Sequence, residues 1–494
     1  MQTDPQQHSS FSLFSKQPRI KTLHFSWLAF FISFVVWFNH APLMGALRDA
    51  FSLSKEQVAA LLMLNVAFAI PARIAIGVFV DKLGPRLMYA LLLLVSGVFC
   101  LMFAFATNFT MLALSRFLLG FAGAGFVVGI RIIGEWFPAR ETGLAQGIYA
   151  GFGNFGSAAA AVTLPSLAMW FGGADGWRWA VATTGIVAII YAGIFYMSVS
   201  DAPKGSTYFS PKKLGSMEVT SKLDFFLYCL MQAPIVLALL FIVWKLGPSN
   251  LNLLPGTAAG ILALALVALY AFQLYDTWRI NQGLFTKPVD ALHRYRFSQV
   301  MVLDIAYFIT FGSELAVVSI LPLLFKDMFG LSLTAAGFLG ASFGMTAFFA
   351  RPIGGWLSDK FGRKITLATL LAGTALGYFG MSSMSATTGL GFALLATVFC
   401  SLFVNAANGA TYAMLPMIKR RLTGQIAGMV GAFGNVGGVV FLAIYAGTSS
   451  STLFLIAGAG AITSCLAVAF FIENPKGHIA EMMPDGTVAL IEVT

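Results

Sequence analysis

Two arginines, Arg73 and Arg351, interrupt otherwise apolar stretches, and each stands eight residues ahead of an aspartate, Asp81 or Asp359. At about 1.5 Å of rise per residue, a helix carries each arginine roughly 12 Å beyond its aspartate. In a membrane that is too deep for easy snorkelling, and an arginine there costs at least about 2.5 kcal/mol unless a cavity or a partner receives it. A guanidinium stays charged and presents planar donors that match the oxygens of a carboxylate, a phosphate or nitrate. A facing pair therefore favours an anion. The competing use is a structural tie to an internal carboxylate, for which Asp304, Glu314 and Glu135 are available. Asn154 and Asn435 offer amides that hydrogen-bond an oxyanion without adding net charge.

The elements that must hold such residues are membrane helices. Of 494 residues, 58% are apolar and only 10% charged, with mean hydropathy +0.82, whereas soluble domains are about one-quarter charged. Apolar runs of about 20 residues, enough to cross roughly 30 Å of hydrocarbon, recur from Leu23 to near Glu473 and leave no room for a soluble domain. The polar first twenty-odd residues lack the pattern of a removable signal peptide. Cys100, Cys229, Cys400 and Cys465 are dispersed in apolar segments without Cys/His spacing, which argues against disulfides or a metal site. The net charge of +10 sits in short loops beside apolar segments and forms no continuous patch, so no nucleic-acid partner is expected.

Six spans are expected near 24–47, 57–80, 87–106, 110–134, 143–170 and 179–199, and six more near 298–324, 333–357, 365–385, 389–415, 423–447 and 452–472. The expected organisation is a six-helix half over 1–200, a linker over 201–297 with two extra apolar segments (225–245 and 256–275), and a second half over 298–494. With the N-terminus inside, most Lys and Arg fall in inner loops, the bias of a cytoplasmic face. Both termini are expected in the cytoplasm, and the extra pair crosses twice or not at all, with fourteen spans preferred over twelve.

The halves repeat one plan. Arg73, Gly77, Asp81, Lys82 and Gly84 return as Arg351, Gly355, Asp359, Lys360 and Gly362, every member displaced by the same offset along the chain. A second match, at a slightly larger offset, pairs Phe152-Gly153-Asn154 with Phe433-Gly434-Asn435. Parallel halves place a substrate site near midplane between them. The run Gly151-Phe-Gly153-Asn154-Phe-Gly156 matches the dinucleotide fingerprint in form only, because that motif follows a strand and this one lies in an apolar helix. With Gly434 and Gly437 of the counterpart, it supplies small faces on which helices approach closely and slide.

The two loops ending in Asp81 and Asp359 resemble the signature loop of the major facilitator superfamily, which implies an all-α fold of two six-helix halves, here with an apolar insert. The asparagine-containing glycine runs in the fifth and eleventh helices resemble those of its nitrate/nitrite porter family, over nearly the whole chain outside 201–296. That resemblance implies an anion clasped by Arg73 and Arg351, hydrogen bonds from Asn154 and Tyr307, with Asn435 as its repeat, and aromatic walls from Phe126 and Phe311. Departures from the family pattern are Glu314, Arg131 and the insert. Arg131 is expected to pair with Glu135 one turn on, and Arg116, near the outer end of helix four, to snorkel or pack.

The expected function is import of nitrate, and of nitrite, by alternating access across a bacterial inner membrane, in contact with lipid and without cofactor or metal. Proton symport with Glu314 or Asp304 as carrier is favoured over nitrate/nitrite exchange. Asp81 and Asp359 would latch one conformation. A drug exporter fits symmetric arginines poorly, a sensor would need a larger soluble tail, and no nucleophile or cofactor motif suggests an enzyme.

Overall fold

Pro18 opens the first helix, α1 (Pro18–Phe38), where its missing N–H costs no hydrogen bond. In this computed structural model, which describes residues 11–203, 205, 215–250, 252–286, 289, 294–331, 333–473, 478–482 and 488–492, the expected first span of 24–47 therefore starts earlier. It also ends earlier, in a turn at 39–43 before α2 (Met44–Phe51). The first half continues through α3 (Lys55–Ala67), α4 (Ala69–Leu83), α5 (Pro85–Ala104), α6 (Phe109–Leu119), α7 (Gly125–Trp136), α8 (Ala139–Phe171) and α9 (Gly176–Ser198). The insert supplies α10 (Lys222–Leu246), α11 (Gly256–Asn281) and the short α12 (Gly283–Thr286). The second half comprises α13 (Phe297–Phe329), α14 (Leu333–Gly340), α15 (Ser342–Met345), α16 (Ala347–Phe361), α17 (Arg363–Ser382), α18 (Gly389–Ile418), α19 (Thr423–Gly447) and α20 (Ser450–Phe471).

Three expected continuous spans are interrupted. The second breaks at Phe68 between α3 and α4, the fourth tightens into a 3-10 turn over Gly120–Ala124, and the eighth divides into α14, α15 and α16. In the fourth, glycine is required by proximity: a Cβ on Gly123 would lie 2.7 Å from the Trp37 ring. Interrupted helices near midplane are tolerated where protein, rather than lipid, surrounds them.

Twelve helices among the described residues are long and apolar enough to cross a membrane, and they include both insert helices. They do not include α8 or the broken α14–α16, the small-residue elements that bring the halves together. Along one seam α8 packs on α16, and along the other α4 packs on α19. The backbones nearly touch there. A Cβ on Gly151 would lie 2.5 Å from the Ala347 carbonyl oxygen, and one on Gly77 would lie 2.6 Å from that of Gly424. Gly156 and Gly437 play the same part inside each half, against the Phe31 and Phe308 carbonyls.

The insert forms a helical hairpin at the edge of the bundle. α10 packs on α13 and α19, and α11 packs on α10. Its base pins the chain over residues 215–221: the Asp276 carboxylate accepts from the Ser216 N–H at 2.7 Å, and the Asn281 side chain accepts from the Val219 N–H at 2.9 Å. The all-α expectation describes the bundle. The tail adds a two-stranded antiparallel ribbon, β1 (His478–Met482) with β2 (Val488–Glu492).

Candidate functional site

Arg73 is fully buried on α4 and reaches across the seam between the halves. Its Nε donates to the Gly123 carbonyl at 3.0 Å and its Nη1 to the Gly431 carbonyl of α19 at 2.8 Å. Its Nη2 is buried without a hydrogen-bond partner. The guanidinium carbon lies 5.8 Å from the Trp37 and Phe126 ring centroids and 4.9 Å from that of Phe311. Aromatic faces stabilise a cation by roughly 2 kcal/mol when desolvated, so this arginine is held by rings and carbonyls.

Arg351, the repeat counterpart on α16, is also fully buried. Its Nη2 donates to both Glu314 oxygens, at 2.9 and 2.7 Å, and its Nε donates to the Asn405 side chain at 3.1 Å. Asn408 donates to Glu314 Oε2 at 2.7 Å. The structural tie weighed from sequence is thus present at one arginine: Arg351 has Glu314, whereas Arg73 makes no carboxylate salt bridge among the described residues. Arg351 nevertheless lies 5.7 Å from the centroid of Phe311, the ring that Arg73 approaches to 4.9 Å. A single aromatic ring therefore contacts both guanidinium groups.

The residues between them come from α13. Asp304, Tyr307, Phe311 and Glu314 are spaced by three, four and three, which places them on one stripe of a helix turning about 100° per residue. Tyr307 stacks on Phe311 with centroids 4.9 Å apart and lies parallel to Phe126 at 6.3 Å. Its hydroxyl is within electrostatic reach of both arginines, and it closes no well-formed hydrogen bond. Gly434 makes room for this stack, since a Cβ there would lie 2.7 Å from Tyr307 and 2.8 Å from Phe311. Gly153 does the same for Phe30, which stacks on Tyr149 in the first half.

The asparagines behave differently from a direct clamp. Asn435 donates to the Gly431 carbonyl at 3.0 Å, the oxygen that also receives Arg73. Asn154 donates to Ala150 on its own helix at 2.8 Å, and no hydrogen bond joins it to either arginine. Each keeps a buried carbonyl oxygen unpartnered, and both Asp304 oxygens are also buried without partners. Sequence reasoning missed Trp37, Asn405, Asn408 and Tyr412. The last three follow the same three-and-four spacing on α18, a polar stripe in an apolar span that is readable as a helix face. The Tyr412 ring lies 4.3 Å from Phe126 and 4.7 Å from Tyr307.

At one end of the bundle the aspartates bridge the halves. Asp81 accepts from the Gly424 and Gln425 N–H groups, at 3.2 and 3.0 Å, at the start of α19. Asp359 accepts from the Leu144 N–H in the first turns of α8 at 2.9 Å. A carboxylate at a helix N-terminus is favoured by the exposed N–H groups and the helix dipole. Arg131 pairs with Glu135 at 2.7 Å, as expected, and also with Asp81 at 2.9 Å. Arg116 does not snorkel: it is fully buried and donates to Asn65, Asn39 and the Trp37 carbonyl.

Residues 26–283 and 303–492 match the Major Facilitator Superfamily. The Nitrate/nitrite transporter NrtP of Picosynechococcus is 44% identical over 95% of this chain and 96% of its own length. The protein of the same name from Nostoc punctiforme is 42% identical, with 95% of each chain covered. The chain belongs to the nitrate/nitrite porter family of this superfamily. It is a multi-pass membrane transporter and not an enzyme. Its fold is shared by the proton:xylose symporter XylE, at TM-score 0.62 and 17% identity over 92% of this chain and 96% of that one.

Proposed function

We propose that this porter imports nitrate, and nitrite with it, across the cell's inner membrane by alternating access coupled to protons. The observation that carries this reading is the meeting of two buried arginines on the Phe311 ring, with Arg73 Nη2 and the Tyr307 hydroxyl left unpartnered. Buried donors without partners are costly, and a small planar oxyanion satisfies them. The names of the relatives at 44% and 42% identity select nitrate and nitrite among such anions. Arg73 and Arg351 clasp the ion, Tyr307 and Asn154 hydrogen-bond it, Asn435 offers a second amide, and Phe126 and Phe311 wall it.

The halves rock about the glycine seams, and the Asp81 and Asp359 bridges hold one end shut while the other opens. Both termini lie in the cytoplasm and the hairpin adds two spans, fourteen in all. Import of an anion opposes an inside-negative potential worth about 2.3 kcal/mol per charge per 100 mV, so a coupling ion is required. Uptake of isotopically labelled nitrate into proteoliposomes, with and without an inward proton gradient, tests the reading. Gradient-driven accumulation is expected. Uptake that needs internal nitrite would indicate exchange instead, and absence of any nitrate or nitrite flux with correctly inserted protein would overturn the substrate assignment.

A further inference from the structure

Glu314 lies where an anion would be expected to lie. Its two oxygens present a planar O–C–O edge to Arg351, and Asn408 donates to one of them. It sits three residues beyond Phe311, on the stripe that faces the two arginines. We propose that Glu314 is a tethered stand-in for the transported anion: nitrate displaces it from Arg351, and the displaced carboxylate takes a proton, so that anion and proton bind together. This rests on the nitrate-import reading above and names the group that performs its coupling.

The reasoning is electrostatic. Two anions a few ångströms apart in a low-dielectric site repel by several kcal/mol, and the usual resolution is that one carboxyl becomes neutral. The proton forms an O–H bond on Glu314, is carried with the nitrate, and leaves to the cytoplasm when nitrate departs and Glu314 returns to Arg351. The titratable and charged groups that face Glu314 are Arg351 from α16, Tyr378 from α17 and Tyr307 from its own helix. None of the three can replace it as a carboxylate. Asp304 lies on the same stripe, about 15 Å along the helix, and makes no hydrogen bond to either arginine among the described residues.

Charge parity then explains why such a carrier need not be an obligate exchanger. Empty, the two arginines and the ionised Glu314 sum to one positive charge. Loaded, the two arginines, a neutral Glu314 and nitrate sum to the same. Both forms cross the transition with equal charge, whereas without Glu314 the empty form carries one charge more than the loaded one and is slow to return.

The test compares wild type, Glu314→Gln and Asp304→Asn in proteoliposomes and in purified form. For Glu314→Gln the expected result is that labelled-nitrate counterflow persists while proton-driven net accumulation falls at least about tenfold. Its nitrate Kd becomes insensitive to pH, while that of wild type weakens by up to about tenfold per pH unit on the alkaline side, as uptake of one linked proton requires. Asp304→Asn is expected to keep the pH-dependent Kd. Proton-driven accumulation at wild-type level in Glu314→Gln overturns the proposal, as does a folded Glu314→Gln that binds no nitrate. If Glu314→Gln does not fold, the wild-type Kd decides alone, and a Kd flat with pH overturns the proposal. Symport in wild type with either overturning result leaves the import reading standing, whereas exchange without symport in wild type removes that reading first.

Discussion

Arg73 and Arg351 are related by the internal repeat, yet they are neutralised in opposite ways. In the first half the arginine is ringed by Trp37, Phe126 and Phe311 and tied to two carbonyls, with one Nη2 left over. In the second half a carboxylate and an amide take up the guanidinium. The first arginine has no carboxylate salt bridge among the described residues, and the second has one. Sequence symmetry therefore does not carry over into symmetry of pairing, and on the proposed reading one duplicated charge would provide standing affinity and the other a site where binding and protonation compete.

In binding, charge-conserving substitutions break this comparison. Lysine keeps the charge but loses the planar fork. Arg73→Lys forfeits the carbonyl bonds and the free Nη2 together, and a loss of about 3 kcal/mol, roughly a hundredfold in nitrate Kd, is expected. Arg351→Lys still faces Glu314, and a loss of about tenfold is expected. Equilibrium binding of labelled nitrate to purified protein measures both. Equal losses would mean that the two arginines share the ion evenly.

Stability should invert that order. Arg351→Ala leaves Glu314 buried without its partner, and removing one member of a buried pair costs about 3 to 5 kcal/mol. Arg73→Ala orphans no carboxylate and is expected to cost no more than about 1 kcal/mol, since an unpaired buried charge is itself unfavourable. Thermal unfolding in detergent distinguishes them, and the double variant Arg351→Ala with Glu314→Ala should recover most of the loss. A double variant no better than the single one would mean that the pair contributes through packing rather than charge.

These asymmetries were only partly legible in the sequence. The arginines and aspartates could be read because a charge inside an apolar run stands out and because each recurs at one common offset in the second half. The superfamily was readable from the aspartate loops, and the porter family from the glycine runs that contain Asn154 and Asn435. The partner of Arg351 was not, because Asp304, Glu314 and Glu135 are equivalent as letters and only the tertiary fold, which packs α13 on α18 and brings Glu314 to Arg351 and Asn408, selects Glu314. Arg131 was half legible: Glu135 follows one turn later, whereas Asp81 lies on a different helix and meets it only through tertiary packing. The interruptions of the second, fourth and eighth spans were invisible to hydropathy, since the apolar character continues through them.

The aspartate bridges offer a smaller contrast between the same halves. Asp81 receives two backbone N–H groups and the Arg131 Nε, while Asp359 receives the Leu144 N–H and faces Arg363 at 3.2 Å. Hydrogen bonds that involve a charged group contribute about 1.5 to 3 kcal/mol. On that scale Asp81→Asn should favour opening of that end by about 2 kcal/mol, and Asp359→Asn by about 1.5 kcal/mol. Ser358, buried beside Asp359, reports the opening if replaced by cysteine in a background without the native cysteines. Its alkylation rate should rise more for Asp81→Asn, and an equal rise would mean that the two bridges act as one unit.

The mildest expected change probes whether Arg73 is held to its place from across the seam. A Cβ on Gly431 would lie 3.0 Å from the Arg73 Cδ and 3.2 Å from its Nη1, and 3.2 Å from the Tyr412 hydroxyl. Those are tight contacts, and the atoms met belong to side-chain ends that can yield by a few tenths of an ångström. Gly431→Ala leaves the Gly431 carbonyl to receive Nη1 but tilts the guanidinium away from it. A loss of about 1 kcal/mol, close to fivefold in nitrate Kd, is expected, with little change in thermal stability. Because the strain falls on Arg73 and not on Glu314, the pH dependence of binding should stay as in wild type. A Gly431→Ala variant with altered pH dependence would couple the two arginines more tightly than their separate partners imply.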